Sequence, residues 1–369
     1  MSSALLSVTS RTRRTPYSPR VEALGVKGYT VYNHMLLPAV FRSREEDYRH
    51  LKTKVQLWDV SCERQVELAG PDAARLAQLM TPRNLGKAAV GQCVYAPMTD
   101  HRGGMVNDPV LLKLAEDRFW LSIADSDVLL WALGLAQGLG LEVEISEPEV
   151  FPLAVQGPKA DDLMAGVFGE EVRAIRFFRF ARLPFKGLPL VVARSGWSKQ
   201  GGFEIYLDAP ALALDLWDAL WAAGEAHGVG PGCPNLIERI ESGLLSYGGD
   251  MTRADTPLEC GLERYCDLES PLEFLGQEAL RAQRDRGLER RIKGLRIAGE
   301  ALPACVEAWP VMHAGRGIGQ VTSAVFSPDF ESNLAFAMIA REAWENGSEV
   351  EVETPAGGRR AVVCDLPFA

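Results

Sequence analysis

The chain has 369 residues, too many for one ordinary hydrophobic core, so two or three domains are expected. Hydrophobic residues make up 47%, yet no run approaches the roughly 20 uncharged apolar residues that a membrane helix needs. With 39 basic against 49 acidic side chains the net charge is −10, which disfavours nucleic acid and anionic lipid as partners and leaves small molecules.

Residues 1–20 carry Arg11, Arg13, Arg14 and Arg20 among Ser and Thr, with no acid before Glu22. A transit peptide has that composition, but a basic arm of the mature chain is the preferred reading, and Ala4, Leu5 and Leu6 are too short an apolar run for a secretory signal. A cytoplasmic location is expected. Cys62, Cys93, Cys233, Cys260, Cys266, Cys305 and Cys364 form an odd, scattered set without a Cys-x-x-Cys pair, and read as free buried thiols.

Further along, Val66-Glu67-Leu68-Ala69-Gly70-Pro71-Asp72-Ala73 and Leu153-Ala154-Val155-Gln156-Gly157-Pro158-Lys159-Ala160 repeat one design. Each reads as strand, turn and helix, with Gly allowing a sharp exit and Pro at the first helical position. Leu76, Leu79 and Met80 after the first turn, and Leu163, Met164 and Val167 after the second, place an apolar stripe against a sheet. Two related α+β subdomains are therefore expected.

Between them, residues 92–98 and 105–114 read as strands joined by the turn Asp100-His101-Arg102-Gly103-Gly104, with another strand at 119–124. Residues 190–207 read as a second hairpin looping through 195–202, and 235–245 as a helix. The charge-dense run 281–291 reads as an exposed helix end leading to a linker. Beyond it, short β-rich runs at 292–297, 317–325, 335–340, 349–353 and 360–364 suggest a small barrel or sandwich.

No phosphate-binding loop and no full Gly-x-Gly-x-x-Gly is present; Gly315-Arg316-Gly317-Ile318-Gly319 falls in the β-rich region and reads as a turn. His34, His50, His101, His227 and His313 lack metal-ligand spacing, and no metal is expected. The candidates that remain are Tyr95, Asn107, Asp108, Ser122, Trp197, Glu204 and Tyr206, all on expected strand edges. By period two Glu204 and Tyr206 share a face, which suits a pocket if concave; an exposed face is the commoner outcome for Glu. Asp108 interrupts an apolar strand, where an unpaired carboxylate is costly, although Pro109 makes a turn cap an alternative.

Gly103-Gly104-Met105-Val106-Asn107-Asp108, Arg194-Ser195-Gly196-Trp197 with Gly202-Phe203-Glu204, and the segment 274–280 together resemble the aminomethyltransferase family, the folate-dependent T-protein of glycine cleavage and its relatives, nearly end to end. That resemblance implies a three-domain α+β cloverleaf, with two related α+β subdomains and a C-terminal β-barrel around a central folate channel. Residues 1–280 would form the folate-binding region, 281–291 a linker and 292–369 the barrel. It also implies that Asp108 is the active-site aspartate and that Glu204 binds the pterin.

Segments 29–38, 123–127, 230–242 and 364–368 are more closely similar to the branch of that family acting on sulfonium compounds. Departures from the T-protein pattern agree: Lys199-Gln200-Gly201 replaces its Gly-Glu-Asp, and Pro234-Asn235 replaces an arginine before the central helix. The implied reaction moves a methyl group from dimethylsulfoniopropionate to N5 of tetrahydrofolate, giving methylmercaptopropionate and 5-methyl-tetrahydrofolate. The implied site uses Asp108 and Tyr206 in catalysis, and Glu204, Tyr95, Asp108 and Trp197 for folate. Trp197, Tyr32, Asn33, His34, Met35 and Ser122 are the residues for the methyl donor, with Lys199 as a further carboxylate partner. An O- or N-methyl donor, aminomethyl transfer, or folate binding without catalysis stay as alternatives, and a homodimer is left open.

Overall fold

The structure is a computed structural model, and it describes residues 8–368. The chain forms two compact units. The first comprises residues 8–65, Glu147–Gly196 and Gln200–Pro234. Its sheet has six strands in the order Phe180–Phe185, Leu188–Ala193, Gly202–Leu207, Phe151–Gln156, Val55–Asp59 and Val229–Gly232. Only the last pair is parallel; the others run antiparallel.

Alternation along these strands decides what each face does. Phe203, Ile205 and Leu207, with Leu153, Val155, Val55, Leu57, Leu190 and Val192, join one buried core with Leu163, Met164, Leu216, Trp217 and Leu220 from the helices Ala160–Phe168 and Ala213–Gly224. Burying side chains of this size contributes about 1.5–3 kcal/mol each, so this face anchors the sheet. The residues between them, including Gln56, Trp58, Ala154, Gln156, Glu204 and Tyr206, occupy the opposite face and are also buried. The expected hairpin through residues 195–202 is present, with Val191 opposite Tyr206 and Ala193 opposite Glu204.

The second unit comprises Val66–Ser146, Trp197–Lys199 and residues 235–368. A five-stranded sheet, ordered Glu144–Ser146, Gln65–Ala69, Arg118–Ser122, Val110–Ala115 and Cys93–Tyr95, packs against the helices Ala73–Leu79 and Val128–Leu139. The repeated strand-turn-helix design is real. Gly70 and Gly157 take φ of 123° and 127°, and each turn closes through a 3.0 Å bond to the glycine carbonyl, from Ala73 in one and Ala160 in the other. Pro71 and Pro158 lie in the turns, however, and the helices open two residues later.

Two expected strands are broken. Residues 92–98 divide into Cys93–Tyr95 and Met98–Thr99, and residues 105–114 into Met105–Asn107 and Val110–Ala115. Pro97 and Pro109 cannot donate to a ladder, and the second break leaves Asp108 outside the sheet. The helix expected over 235–245 is only Leu236–Glu241: Asn235 caps it by accepting from the N–H groups of Ile237 and Glu238, and Gly243, at φ 70°, ends it.

Six strands close the C-terminal barrel in the order Arg290–Ile297, Ser332–Ala340, Arg316–Ser327, Trp309–His313, Glu349–Thr354 and Gly357–Cys364. Trp309–His313 escaped the sequence pattern because Pro310 interrupts it, and Gly315 turns between it and the next strand. The segment 281–291 holds the end of one helix and the start of the barrel. The helix Gln277–Arg286 runs into it, burying Leu280 and Gln283, and Arg290 already opens a barrel strand while pairing with Asp255 and Glu259. Among the described residues the seven cysteines form no disulfide, four of them buried and three partly exposed.

Candidate functional site

On the second face of the six-stranded sheet, register places Glu204 between Ala154 on one neighbouring strand and Ala193 on the other. Both flanking side chains are short, and Glu204 is the long acid between them. Glu204 is 5% exposed and Tyr206 fully buried, which overturns the exposed-face alternative for the pair. The Ser195 hydroxyl donates to Glu204 Oε2 at 2.5 Å and the Tyr206 hydroxyl donates to the same oxygen at 3.2 Å. Oε1 has no hydrogen-bond donor among the described residues. Burial pushes the Glu204 carboxyl above the ordinary carboxylate range, with the Ser195 and Tyr206 hydroxyls pulling against it. A carboxylate held this way has an acceptor to offer an incoming N–H group.

Ser195 reaches Glu204 because the loop behind it is fixed. Gln156 Nε2 donates to the Ser195 carbonyl at 3.1 Å, and Gly196, at φ 146°, passes so close that a Cβ there would lie 2.0 Å from that nitrogen. Arg194 ahead of the turn pairs with Asp161 and lies over the Phe203 ring at 4.5 Å.

In the second unit, Asp108 sits in the break between Met105–Asn107 and Val110–Ala115. Asn107 sets that break: its Oδ1 accepts from the Asp108 and Ala124 N–H groups at 3.0 Å each, while its Nδ2 donates to the Ala124 carbonyl and the Ser126 hydroxyl. Tyr95 donates its hydroxyl to Asp108 Oδ2 at 3.0 Å. Burial pushes the Asp108 carboxyl up to about 7, opposed by the Tyr95 bond and the local backbone, with Asp250 adding repulsion. Burial, then Asp108, raises the Tyr95 phenol far above its usual value. Ser122, buried at the end of Arg118–Ser122, faces Val110 across the ladder.

Trp197 belongs to this same unit, half-buried, with the Arg239 guanidinium 5.8 Å from its ring. Arg239 is held by Asp250 at 2.8 Å and donates to Ser323 at 2.6 Å, and Asp250 accepts from Thr322 and Ser323. The Lys199 N–H donates to Glu238 Oε1 at 2.8 Å, and Ser242 donates to that oxygen too. Burial lowers the Lys199 ammonium, with Glu238 opposing and Arg264 adding to the shift.

Tyr32 ends the strand Gly28–Tyr32 and Met35 begins Met35–Val40; Asn33 and His34, at φ 49° and 62°, make the two-residue turn between them. The Asn33 amide donates to the Cys62 carbonyl at 2.9 Å, and His34 is exposed. These two make the turn, and their expected place beside the methyl donor stays a proposal. Sequence reasoning passed over Ser195, Gln156, Glu238 and Arg239. The polar residues crowded into 194–202 and 235–239 were a signal for all but Gln156, but only register and folding reveal what each one touches.

Residues 17–270 match the family described as the GCVT N-terminal domain, and residues 290–369 match the glycine cleavage T-protein C-terminal barrel domain. The chain belongs to this aminomethyltransferase family. It is 59% identical over 353 residues, 96% of each chain, to dimethylsulfoniopropionate demethylase DmdA of Ruegeria pomeroyi. It is 30% identical to the aminomethyltransferase of Moorella thermoacetica, covering 96% of this chain and 97% of that one. Among solved structures, glycine cleavage system aminomethyltransferase T from Bartonella henselae superimposes with a TM-score of 0.86 at 24% identity, covering 97% of this chain and 98% of that one, so the fold is the aminomethyltransferase fold.

Proposed function

We propose that the chain is a tetrahydrofolate-dependent demethylase of dimethylsulfoniopropionate. The 59% identity to a demethylase of that sulfonium, maintained over nearly the whole of both chains, supports the substrate. The observation that carries the folate half is the buried Glu204 carboxylate, whose Oε2 is taken by Ser195 and Tyr206 and whose Oε1 has no donor among the described residues. A pterin presents neighbouring amino and ring N–H donors, which a carboxylate fits well. Glu204 would fix the ring, and Tyr206, donating to it, would keep the acid oriented.

Tetrahydrofolate supplies the nucleophilic N5. The S–CH3 bond breaks as the N5–CH3 bond forms; the electron pair stays on sulfur, leaving methylmercaptopropionate, and N5 ends methylated after losing its proton. A sulfonium already makes its methyl carbon electrophilic, so the protein mainly aligns the reactants and keeps water away, and alignment can supply about 7–11 kcal/mol. Trp197 gives an aromatic face that holds a cation without strong hydrogen bonds, with Tyr32 as a second aromatic candidate. Asp108, as carboxylate, stabilises positive charge arising at N5 and can receive the proton, with Tyr95 fixing its orientation. Ser122 and Lys199 are the donors proposed for the substrate's own carboxylate.

The reaction belongs in the cytoplasm on this reading, where seven cysteines outside any disulfide persist. Mixing the protein with dimethylsulfoniopropionate and tetrahydrofolate should yield methylmercaptopropionate and 5-methyl-tetrahydrofolate in equal amounts. A panel of O-methyl and N-methyl donors should give neither product above background; turnover of one of them in preference to the sulfonium overturns the assignment.

A further inference from the structure

Asp59, at the end of the strand Val55–Asp59 in the first unit, is a buried acid to which the reaction above gives no role. Among the described residues no cation pairs with it. Thr15, itself buried, donates its hydroxyl to Oδ2 at 2.5 Å, while the Ser61 hydroxyl and N–H donate to Oδ1 at 2.7 and 3.2 Å. Burial pushes the carboxyl above the ordinary range, with these bonds pulling against it. A buried acid kept without a counter-charge is costly, so what its bonds hold in place matters.

They hold two segments. Through Oδ2, Asp59 fixes the N-terminal arm just beyond Arg13; through Oδ1 it shapes the bend that leads to Cys62. Both segments then grip one turn. The Arg13 N–H donates to the His34 carbonyl at 2.7 Å, the Leu36 N–H donates to the Arg13 carbonyl at 3.3 Å, and the Asn33 amide donates to the Cys62 carbonyl. Two-residue hairpin turns with both residues at positive φ favour glycine second, and here His34 stands there at φ 62°. Such strain persists where surrounding contacts over-determine the backbone, and those places cluster at ligand clamps.

We propose that Asp59 is a positioning residue for the methyl donor, acting through Thr15 and Ser61 to fix the turn at residues 32–35. This rests on the reading of that turn as part of the donor site. The arm thereby shapes the donor site without touching the donor. Glu204, whose bonds come from Ser195 and Tyr206, shares no partner with Asp59, so the folate end should not feel the change.

Calorimetry of dimethylsulfoniopropionate and, separately, of tetrahydrofolate binding to the full chain tests this, beside a thermal melt of each variant. T15V removes the hydroxyl from Oδ2 at nearly constant size. It should weaken dimethylsulfoniopropionate binding about fivefold or more, with tetrahydrofolate affinity within about twofold of the parent. R13P lacks the N–H and should do the same, whereas R13A keeps that N–H, loses the contact with Glu147, and should bind like the parent. D59A should weaken the donor as T15V does. D59N should restore it, because its carbonyl accepts from Ser61 and its amide donates to Thr15, whose own hydrogen can turn to Ser18, 3.2 Å away. Unchanged donor affinity in T15V and R13P overturns the proposal. Equal losses for donor and folate also overturn it and leave the clasp a structural one. Failure of the unaltered protein to bind dimethylsulfoniopropionate would remove the donor reading, and the proposal with it.

Discussion

At the scale of single residues, two buried acids carry different expectations. Glu204 lies on a face whose other members hold it in place, so Glu204→Gln should keep the fold yet raise the KM for tetrahydrofolate at least about tenfold, because an amide offers the pterin donors one neutral acceptor in place of a charged one. Steady-state kinetics beside a thermal melt separates the two effects, and unchanged folate saturation removes Glu204 from the site. Asp108 is raised to about 7 by burial, so in the unfolded chain it ionises near the ordinary 3.8 while the folded form stays neutral until about 7. Folding is thus penalised increasingly between these values, and fully above them. Asp108→Asn retains an acceptor for Tyr95 and should melt higher than the parent at pH 8, by on the order of 1–2 kcal/mol, with the gap closing towards pH 4. Its activity should lose the rising limb near pH 7 that ionisation of Asp108 gives the parent.

At the scale of elements, the loop from Arg194 to Gly202 is the piece whose geometry decides the site. Gly196→Ala would drive a Cβ into the buried Gln156 amide at a positive φ, displacing the Ser195 carbonyl that Gln156 holds. A loss of about 1–3 kcal/mol in urea denaturation is expected. Weaker folate binding should accompany it, since Ser195 would leave Glu204; full stability and full binding in this variant would show that the loop tolerates what its contacts forbid.

At the scale of the molecule, the second unit is tied internally by charge as well as by apolar packing. Arg239 and Asp250 join the helix Leu236–Glu241 to the barrel strand Arg316–Ser327 through Ser323, with Asp250 fully buried. Breaking one side of such a pair strands a buried charge, so Asp250→Ala should cost on the order of 3–5 kcal/mol, and adding Arg239→Met should recover part of it. Chemical denaturation of the two variants tests this; additive losses would mean that the pair is not coupled.

Much of this architecture was legible beforehand. The twin strand-turn-helix segments, the hairpin around residues 195–202 and five of the six barrel strands follow from period-two and helical patterns, because burial of one face leaves that imprint on local sequence. Asp108 and Glu204 stood out through motif resemblance, whereas composition left Glu204 on an exposed face. Residue order could not say otherwise, since the strands flanking Glu204 bring Ala154 and Ala193 beside it from 50 and 11 residues away in the chain. The proline breaks at Pro97 and Pro109, the short helix after Asn235 and the brief join before the barrel were likewise settled by backbone hydrogen bonds and long-range pairing. The sequence by itself determined the twin strand-turn-helix segments, the hairpin, most of the barrel strands and the family, because those follow from local periodicity and retained motifs. Only the tertiary structure decided that Ser195 and Tyr206 share one oxygen of Glu204, that Tyr95 holds Asp108, and that Thr15 reaches Asp59, because each is a contact between residues that register and folding bring together.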